Sequence, residues 1–416
     1  MTTQPLLFPT NETFWYETLR AFGHIAYGGA DFGEVMVTSA RIKPGDYNSW
    51  FAQWQLTADR VAAEAERSLT AGHTVSARDG FLRASNYYRT AEFFLHGDPK
   101  DPRMNLAYYR SVECFRAAAR LMNPTVEPLR IPYEGTTLPG YFYRAGSGRE
   151  ARPLVVMHNG FDGSAEEMHF VAAAALVDRG YNVLSFDGPG QPGPMHEREL
   201  VFRPDWENVV GPVLDHALAR PEVDRDRVAL LGNSLGGLLA PRAAAYENRI
   251  AALVALDGIY DMGAKAAAIL GGDREHARRV LGAPEAPDVD AALARIADTD
   301  SQARWAFDHG MWVTGTRTPR HYLLASFDYH VRDGIAERIA CPTLVCSAAD
   351  DHFFRGQPEA LFERLQCPKT FLELTDELGA GAHCHAGGQR LAMTRIGDWL
   401  DDTLRWSTGS DHSERM

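Results

Sequence analysis

The hydrophobic residues of this chain repeat with two different periods, and the change falls near residue 124. Before it, from residue 48 to about residue 120, they recur at helical spacing, as at Trp50 and Trp54. Two further Ala-rich runs in the same part of the chain carry aromatic and basic residues in alternation. The pattern predicts that residues 1–124 form a packed helical subdomain.

After residue 124 the pattern becomes that of short strands. Residues 126–133 and 138–144 alternate around a Glu-Gly-Thr turn, which predicts a hairpin. Six further strands are predicted at 153–158, 181–186, 227–232, 250–256, 343–347 and 370–374. Helices are predicted at 164–180, 206–220, 235–246, 359–365 and 389–406. This alternation predicts an α/β fold with a mainly parallel eight-stranded sheet covered by helices on both faces.

About 85 residues separate the sixth and seventh predicted strands. Helical runs at 264–270, 273–281, 290–296 and 305–312 occupy most of this distance, which is too long for a plain loop. The pattern predicts a helical insertion at about 258–335 within an α/β domain that spans 125–407. The polar residues 408–416 are expected to form a disordered tail.

Composition narrows the possible functions. The 416 residues carry 42 basic and 55 acidic side chains, a net charge of −13, which argues against binding to nucleic acid. No basic segment followed by an apolar run opens the chain, and no apolar run is long enough to span a membrane. The five cysteines have no C-x-x-C spacing. We therefore expect a cytoplasmic protein with no membrane or nucleic-acid partner.

One motif points to nucleophilic catalysis. Residues 232–236 read Gly-Asn-Ser-Leu-Gly, between an apolar strand and a helix. In that setting G-x-S-x-G is a nucleophile elbow, a tight turn that raises a serine hydroxyl above the sheet. We expect Ser234 to be a nucleophile. The alternative is a glycine-rich turn whose serine takes no part in chemistry.

A serine nucleophile needs a base, and the base needs a carboxylate to orient it. After the seventh strand the chain offers Asp351, favoured by its spacing, with Asp350 as the alternative. After the eighth strand a glycine-rich loop offers His383, which we favour, and His385, which we expect to be exposed. Three successive strand ends therefore supply a possible Ser-His-Asp triad.

An oxyanion formed at the substrate carbonyl would need two backbone donors. The expected donors are the N–H groups of Leu235 and Phe161, the latter in the loop after the third strand. Asp162 in the same loop, and Asp257 just beyond the sixth strand, either contact substrate or shape turns. Asp261 has the same two possible roles.

No cofactor is expected. The glycines at 186–191 do not form a dinucleotide-binding fingerprint, and the histidines of the insertion lack a metal-binding spacing. The aromatic residues of the helical runs, among them Trp50 and Tyr87, indicate either a sizeable apolar or aromatic ligand or ordinary core packing. Exposed faces of the N-terminal helices are candidates for a homodimer interface.

Several segments together resemble the α/β-hydrolases. Within them, the chain is most similar to the branch that contains 2,6-dihydroxypseudooxynicotine hydrolase and fungal hydrolases that shorten polyketide chains. The segments are GDYNSW (45–50), RASNYYR (83–89), NGFDGS (159–164), FDGPGQ (186–191), RPDWE (203–207), GNSLGG (232–237), DDHFF (350–354) and GAHC (381–384). Two positions depart from the pattern of the branch. They are Pro192-Gly193, where a second glycine is usual, and Asp257, where relatives tend to carry a bulky apolar residue.

The resemblance implies an activity as well as a fold. It implies an α/β-hydrolase with an N-terminal helical cap over the site, which hydrolyses a carbon–carbon bond next to a ketone. Ser234 would be the nucleophile, His383 the base and Asp351 the orienting acid. The substrate would be a small molecule, an apolar or aromatic ketone. An ester, thioester or acyl-peptide hydrolase with the same triad is the alternative, and a non-catalytic ligand receptor is a third possibility.

Overall fold

The structure is a computed structural model that describes residues 5–148 and 150–407. The tail expected at 408–416 lies outside the described residues. None of the helices within these two ranges is both long enough and apolar enough to cross a lipid bilayer.

The N-terminal part of the chain forms five helices: α1 (Glu12–Gly23), α2 (Phe32–Ser39), α3 (Tyr47–Thr70), α4 (Thr74–Glu92) and α5 (Pro102–Leu121). Four of them begin at side chains that accept a hydrogen bond from a free N–H of the first turn. These capping residues are Asn11, Asp31, Asp46 and Asp101. The period-3.6 pattern predicted α3 to α5, whereas α1 and α2 precede the region in which that pattern is regular.

Eight strands form one sheet: β1 (Glu127–Tyr133), β2 (Thr136–Tyr143), β3 (Arg152–His158), β4 (Asn182–Phe186), β5 (Val223–Asn233), β6 (Ala252–Leu256), β7 (Thr343–Ala348) and β8 (Lys369–Leu374). Their order is β1-β2-β4-β3-β5-β6-β7-β8. The hairpin β1–β2 is antiparallel, β2 pairs antiparallel with β4, and the remaining pairs are parallel. The predicted α/β-hydrolase architecture, with a mainly parallel eight-stranded sheet, is confirmed.

The other helices cover the sheet or lie between its strands. They are α6 (Ala174–Asp178), α7 (Pro192–Arg198), α8 (Glu207–Leu218), α9 (Gly236–Ala244), α10 (Gly263–Ile269), α11 (Arg274–Leu281), α12 (Pro287–Thr299), α13 (Ser301–Thr314), α14 (Pro319–Ala325), α15 (Gln357–Arg364) and α16 (Gln389–Leu404). Helices α10 to α14 form the segment between β6 and β7. A π-helical turn, His169–Ala173, leads into α6.

The two faces of the sheet bury separate apolar layers, because alternate residues of a strand point to opposite sides. Leu154 and Val156 of β3 belong to one layer. Val155 and Met157 belong to the other, and that layer runs on without a break into the N-terminal helices, where it includes Phe115. The N-terminal helices and one face of the sheet therefore share a single hydrophobic core.

Candidate active site

Ser234 lies on the sharp turn between β5 and α9. Its φ is +59°, in the left-handed region that costs energy for a residue with a side chain. The turn is possible because small residues surround it: a Cβ on Gly232 would lie 2.0 Å from the Gly236 carbonyl oxygen. The Ser234 N–H donates to the Leu256 oxygen at 3.0 Å, which ties the turn to the end of β6. This local geometry is that of the predicted nucleophile elbow.

Three side chains that are far apart in sequence form one hydrogen-bonded chain. The distance from Ser234 Oγ to His383 Nε2 is 2.9 Å, and that from His383 Nδ1 to Asp351 Oδ2 is also 2.9 Å. The other oxygen of Asp351 accepts the N–H groups of Phe353 at 2.7 Å and Phe354 at 3.1 Å. All three triad side chains are buried, Ser234 with 9% of its surface exposed.

The charges around His383 favour the imidazolium form. Burial by itself lowers the pKa of His383, but negative partners, with Asp351 foremost and Asp257 among them, raise it well above its ordinary value. For Asp351, burial alone raises the pKa, whereas His383 and the two N–H donors bring it down to about 2. An imidazole held in this way is well stabilised once it has taken the serine proton.

Asp257 contributes a second carboxylate to the same imidazole. Its Oδ2 lies 2.9 Å from His383 Nδ1, as close as Asp351 Oδ2 does, and also accepts the Cys384 N–H. Asp257 is fully buried, with φ at +58°, and its Oδ1 has no hydrogen-bond partner among the residues described. From the sequence, Asp257 was expected to contact substrate or to shape a turn, and its contact with the histidine was not foreseen.

The two expected oxyanion donors lie on loops that touch each other. A Cβ on Gly160 would lie only 2.5 Å from the Leu235 nitrogen, so the loop after β3 passes directly over the elbow. Within residues 5–148 and 150–407, neither the Leu235 N–H nor the Phe161 N–H has a hydrogen-bond acceptor. Both donors are therefore available to a ligand oxygen.

We call residues 159–163 the oxyanion loop. Gln191 holds it from one side, since its Nε2 donates to the carbonyls of Asn159 at 2.5 Å and Gly160 at 3.2 Å. Gln191 is completely buried, and its Oε1 accepts the Gly188 N–H at 2.7 Å. The peptide that carries the Phe161 N–H is thus fixed through its own carbonyl. The sequence indicated the loop that contains Gln191 but not this contact.

Two arginines of the N-terminal helices hold the oxyanion loop from the other side. Asp162 Oδ2 accepts Arg20 at 2.6 Å and Arg89 at 2.9 Å, and Arg20 also forms a bidentate pair with Glu167 at 2.7 Å for each bond. Burial alone raises the pKa of Asp162, but the two arginines lower it far below its usual range. Asp162, expected to shape a turn or contact substrate, is instead paired with these cations.

A tyrosine of α1 lies against the triad. The Tyr16 hydroxyl donates to the backbone oxygen of His383 at 3.3 Å, and its ring packs edge-on against His352 and Phe353. Burial raises the pKa of Tyr16 well above its usual value, so the phenol keeps its proton. The sequence carried no motif that marks Tyr16.

The structure does not bring Trp50 and Tyr87 together with Ser234. Both are completely buried inside the N-terminal helical region. The Trp50 indole N–H donates to the Thr90 carbonyl at 2.7 Å, and the Tyr87 hydroxyl donates to Glu34 at 2.8 Å. The positions of Trp50 and Tyr87 agree with core packing, which was one of the two interpretations of these aromatic residues.

The alternative triad acid, Asp350, has another partner: it pairs with Arg355 at 3.1 Å near the surface. Asp261, considered for substrate contact or a turn, pairs with Arg274. His385 was expected to be exposed, and this expectation was wrong. It is completely buried, and its Nδ1 donates to the Ala380 carbonyl at 2.9 Å, because the loop folds back on itself there.

One group of potential metal ligands exists among the described residues, and it overlaps the triad. Atoms of Asp257, His383 and Cys384 lie within 4.8 Å of one another. Burial raises the pKa of the Cys384 thiol to about 12, which keeps the thiol protonated and makes it a poor ligand. The imidazole and the Asp257 Oδ2 already form the hydrogen bonds described above.

Known proteins resemble this chain over nearly its whole length. Residues 154–392 match the family model described as "Alpha/beta hydrolase family". Hydrolase LUC6 of Fusarium sp is 35% identical, with 96% of this chain and 98% of the relative covered. The 20-hydroxy-prefusarin hydrolase FUS2 of Gibberella moniliformis is 34% identical, with 95% and 97% covered. The crystal structure of 2,6-dihydroxy-pseudo-oxynicotine hydrolase superposes with a TM-score of 0.71 at 25% identity, with 92% of this chain and 95% of that one covered.

Proposed function

Because this chain belongs to the alpha/beta hydrolase family, we propose that it is a serine hydrolase that cleaves an acyl–carbon bond in a ketone or β-dicarbonyl substrate. The observation that carries the proposal is the pair of 2.9 Å contacts linking Ser234, His383 and Asp351. The unpaired N–H groups of Leu235 and Phe161 beside the elbow add the second requirement, a site for an oxyanion.

The mechanism follows from these contacts. His383 Nε2 takes the Ser234 proton while Oγ adds to the substrate carbonyl, and Asp351 and Asp257 stabilise the imidazolium. The N–H groups of Leu235 and Phe161 bind the oxyanion. Collapse of the tetrahedral species breaks the acyl–carbon bond, the carbon leaving group takes a proton, and an acyl-enzyme remains. Water, deprotonated by His383, then releases the acid product.

The carbon leaving group requires a proton donor or an electron sink, and an alkoxide does not have this requirement. The imidazolium of His383 is one donor. We assign the second to Tyr16, whose phenol keeps its proton and whose hydroxyl contacts the His383 backbone oxygen. The phenol would give its proton to the carbon leaving group and take one back from the His383 imidazolium, so that His383 is neutral when water enters. Tyr16 is on α1, so the helical region would supply the group that distinguishes carbon–carbon cleavage from ester hydrolysis.

The relatives support a small organic substrate. The similar proteins act, by their names, on 20-hydroxy-prefusarin and on 2,6-dihydroxy-pseudo-oxynicotine. The covered position of Ser234 fits a small ligand held beneath the N-terminal helices better than a polymer. An apolar or aromatic ketone is the class that we propose.

The test combines a covalent probe with two substrate classes. A fluorophosphonate should label the wild type at Ser234 and leave Ser234→Ala unlabelled. A panel of aryl β-diketones and matched aryl esters then separates the reactions. Tyr16→Phe should slow turnover of the diketones and leave that of the esters close to wild type. An unlabelled wild-type protein would refute the serine mechanism, and equal rates on diketones for Tyr16→Phe and wild type would refute the role of Tyr16.

The second candidate is an ester, thioester or acyl-peptide hydrolase. One observation favours it: an ester leaving group needs a single proton donor, and His383 Nε2, 2.9 Å from Ser234 Oγ, can supply that proton without Tyr16. Turnover of the esters with none of the diketones would select this function.

We also propose that the protein is cytoplasmic and forms a homodimer. The five cysteines are free thiols, which agrees with a reducing compartment. Phe32 and Val37 of α2 are more than half exposed and offer an apolar contact. Light scattering on the purified protein tests the dimer, and a monomer at all concentrations would exclude it.

A further inference from the structure

Three buried side chains connect the N-terminal helices and the β6–β7 segment to the oxyanion loop. Glu92 Oε2 lies 2.7 Å from His96 Nε2, His96 Nδ1 lies 2.6 Å from His309 Nδ1, and His309 Nε2 lies 2.8 Å from the Phe161 carbonyl oxygen. Their exposed fractions are 5%, 4% and 1%. Glu92 ends α4, His96 follows it, and His309 is on α13.

Counting protons along this chain fixes its charge. The Phe161 carbonyl accepts, and Glu92, whose pKa is lowered, is ionised and accepts as well, so His96 Nε2 and His309 Nε2 must each carry a hydrogen. One more proton is needed between the two Nδ1 atoms, because two lone pairs 2.6 Å apart would repel each other. Four ring nitrogens thus hold three protons, and the histidine pair carries one positive charge opposite the carboxylate of Glu92.

Of the two rings, His309 is the one that stays neutral. Burial, and then the charge of His96, lower the pKa of His309 to about 3, so His309 is neutral. Burial alone raises the pKa of Glu92, but His96 brings it below its usual value, as expected for a carboxylate beside a cation. His96 therefore donates from both nitrogens, and His309 accepts at Nδ1 and donates from Nε2 to Phe161.

Aromatic packing holds both rings in this orientation. Trp305 stacks on His309 with 5.5 Å between centroids and 8° between planes, and the Phe161 ring meets His309 edge-on at 4.6 Å. Trp312 lies 4.9 Å from His96. The imidazoles have little freedom to turn, so the direction of the hydrogen bond to Phe161 is set before any ligand arrives.

We propose that Glu92, His96 and His309 form a positioning relay that holds the Phe161 backbone so that its N–H points at the oxyanion. The relay rests on the proposed function, since it matters for rate only if Phe161 is an oxyanion donor. It fixes the carbonyl that follows the donor, while Gln191 fixes the carbonyl that precedes it. Residue 161 is thereby held on both sides.

The test measures the rate of fluorophosphonate labelling and kcat in matched variants. His309→Leu removes the donor and should lower both by roughly 10- to 100-fold, up to the cost of losing one oxyanion-hole donor, with little change in KM. His309→Gln should recover most of the rate, because the glutamine amide nitrogen reaches the position of imidazole Nε2. Glu92→Gln removes the counter-charge of His96 and should slow labelling although it lies two groups from the loop.

His276→Leu is the control, since it removes the imidazole of an exposed residue of α11 outside the relay. Thermal unfolding of each variant shows whether it is folded. If His309→Leu is labelled as fast as the wild type, the relay is wrong. If His309→Leu is slow and Glu92→Gln is not, the relay is also wrong, because His309 then acts alone. If His309→Leu does not fold, the labelling rates of Glu92→Gln and His309→Gln test the relay instead: a wild-type rate for Glu92→Gln would contradict it. Absence of labelling in the wild type would instead contradict the proposed serine mechanism.

Discussion

The two halves of the candidate active site are held in place in different ways. The triad side consists of Ser234, Asp351 and His383, which follow β5, β7 and β8 and bond to one another. The oxyanion loop follows β3, but its partners Arg20 and His309 belong to helices outside the sheet. The strands of the sheet therefore position the proposed triad, and helices outside the sheet help to position the proposed oxyanion donors.

This difference implies that substitutions on the two sides have different signatures. A change in the triad should remove the chemistry and leave the fold intact. A change in the partners of the oxyanion loop should affect stability or rate from a distance, without touching the nucleophile. The four predictions below test that contrast in order of decreasing effect.

The largest effect is expected from the carboxylates of the triad side. The double variant Asp351→Asn with Asp257→Asn leaves His383 Nδ1 without an anionic partner, and kcat should fall by about 10⁴-fold. Asp351→Asn alone should lower kcat by a smaller factor, because Asp257 remains 2.9 Å from the same nitrogen. Asp350→Asn is the matched control and should be unaffected. Equal losses in the single and double variants would show that Asp257 does not support the histidine.

On the other side, Arg20→Met should destabilise the protein strongly. It leaves the buried carboxylates of Asp162 and Glu167 without their main cation, which typically costs about 3–5 kcal/mol. Arg355→Met removes an exposed partner of Asp350 and should cost at most about 1 kcal/mol. Urea unfolding of both variants gives the comparison, and similar free energies of unfolding would contradict it.

Gln191→Met should affect rate from within the covered core. It removes the donor to the Asn159 and Gly160 carbonyls, so the Phe161 N–H loses its alignment. We expect a loss in kcat of about 10²-fold, near the cost of one oxyanion-hole donor. Gln357→Met is the control, because Gln357 binds the backbone N–H groups of Tyr260 and Asp261, away from the loop. Its kcat should stay at the wild-type level even where stability falls.

The smallest expected effect is a shift in pH dependence. His383 must be neutral to accept the Ser234 proton, so kcat/KM rises as pH increases through the pKa of His383. That pKa is raised by its negative neighbours, which puts the acid limb of the wild type above the ordinary range of imidazole. Asp257→Asn removes one of these charges, lowers the pKa of His383 and should move the limb to lower pH. If the acid limb of Asp257→Asn stays at the pH of the wild type, Asp257 does not influence the pKa of His383.

The contacts among Ser234, Asp351 and His383 were easier to predict from the sequence than those of the oxyanion loop, for a physical reason. Ser234, Asp351 and His383 sit at strand ends, and strand ends are recognisable from local periodicity and from a short motif. His309 and Arg20 reach the loop through contacts that join residues more than 140 positions apart. No local pattern encodes such contacts, and single histidines or arginines on helices are common.

Burial was equally hard to read from local sequence. His385 lies on a glycine-rich loop, which usually indicates exposure, yet the loop turns inward and buries it. Trp50 and Tyr87 were interpreted either as ligand contacts or as core residues, and they lie in the interior of the helical region. For the sheet itself, long apolar strands with regular helices between them left little ambiguity, and all eight strands were predicted.

The apolar layer shared by the N-terminal helices and one face of the sheet has a consequence for how this protein tolerates rearrangement. A fragment that begins at β1 would expose Val155, Met157 and their apolar neighbours to water. An apolar surface of this kind promotes aggregation. Gene fusions or truncations at this junction should therefore yield insoluble material, and the intact chain should melt in one cooperative step. The N-terminal helices are thus part of the interior of the enzyme and not an accessory to a core that is stable without them.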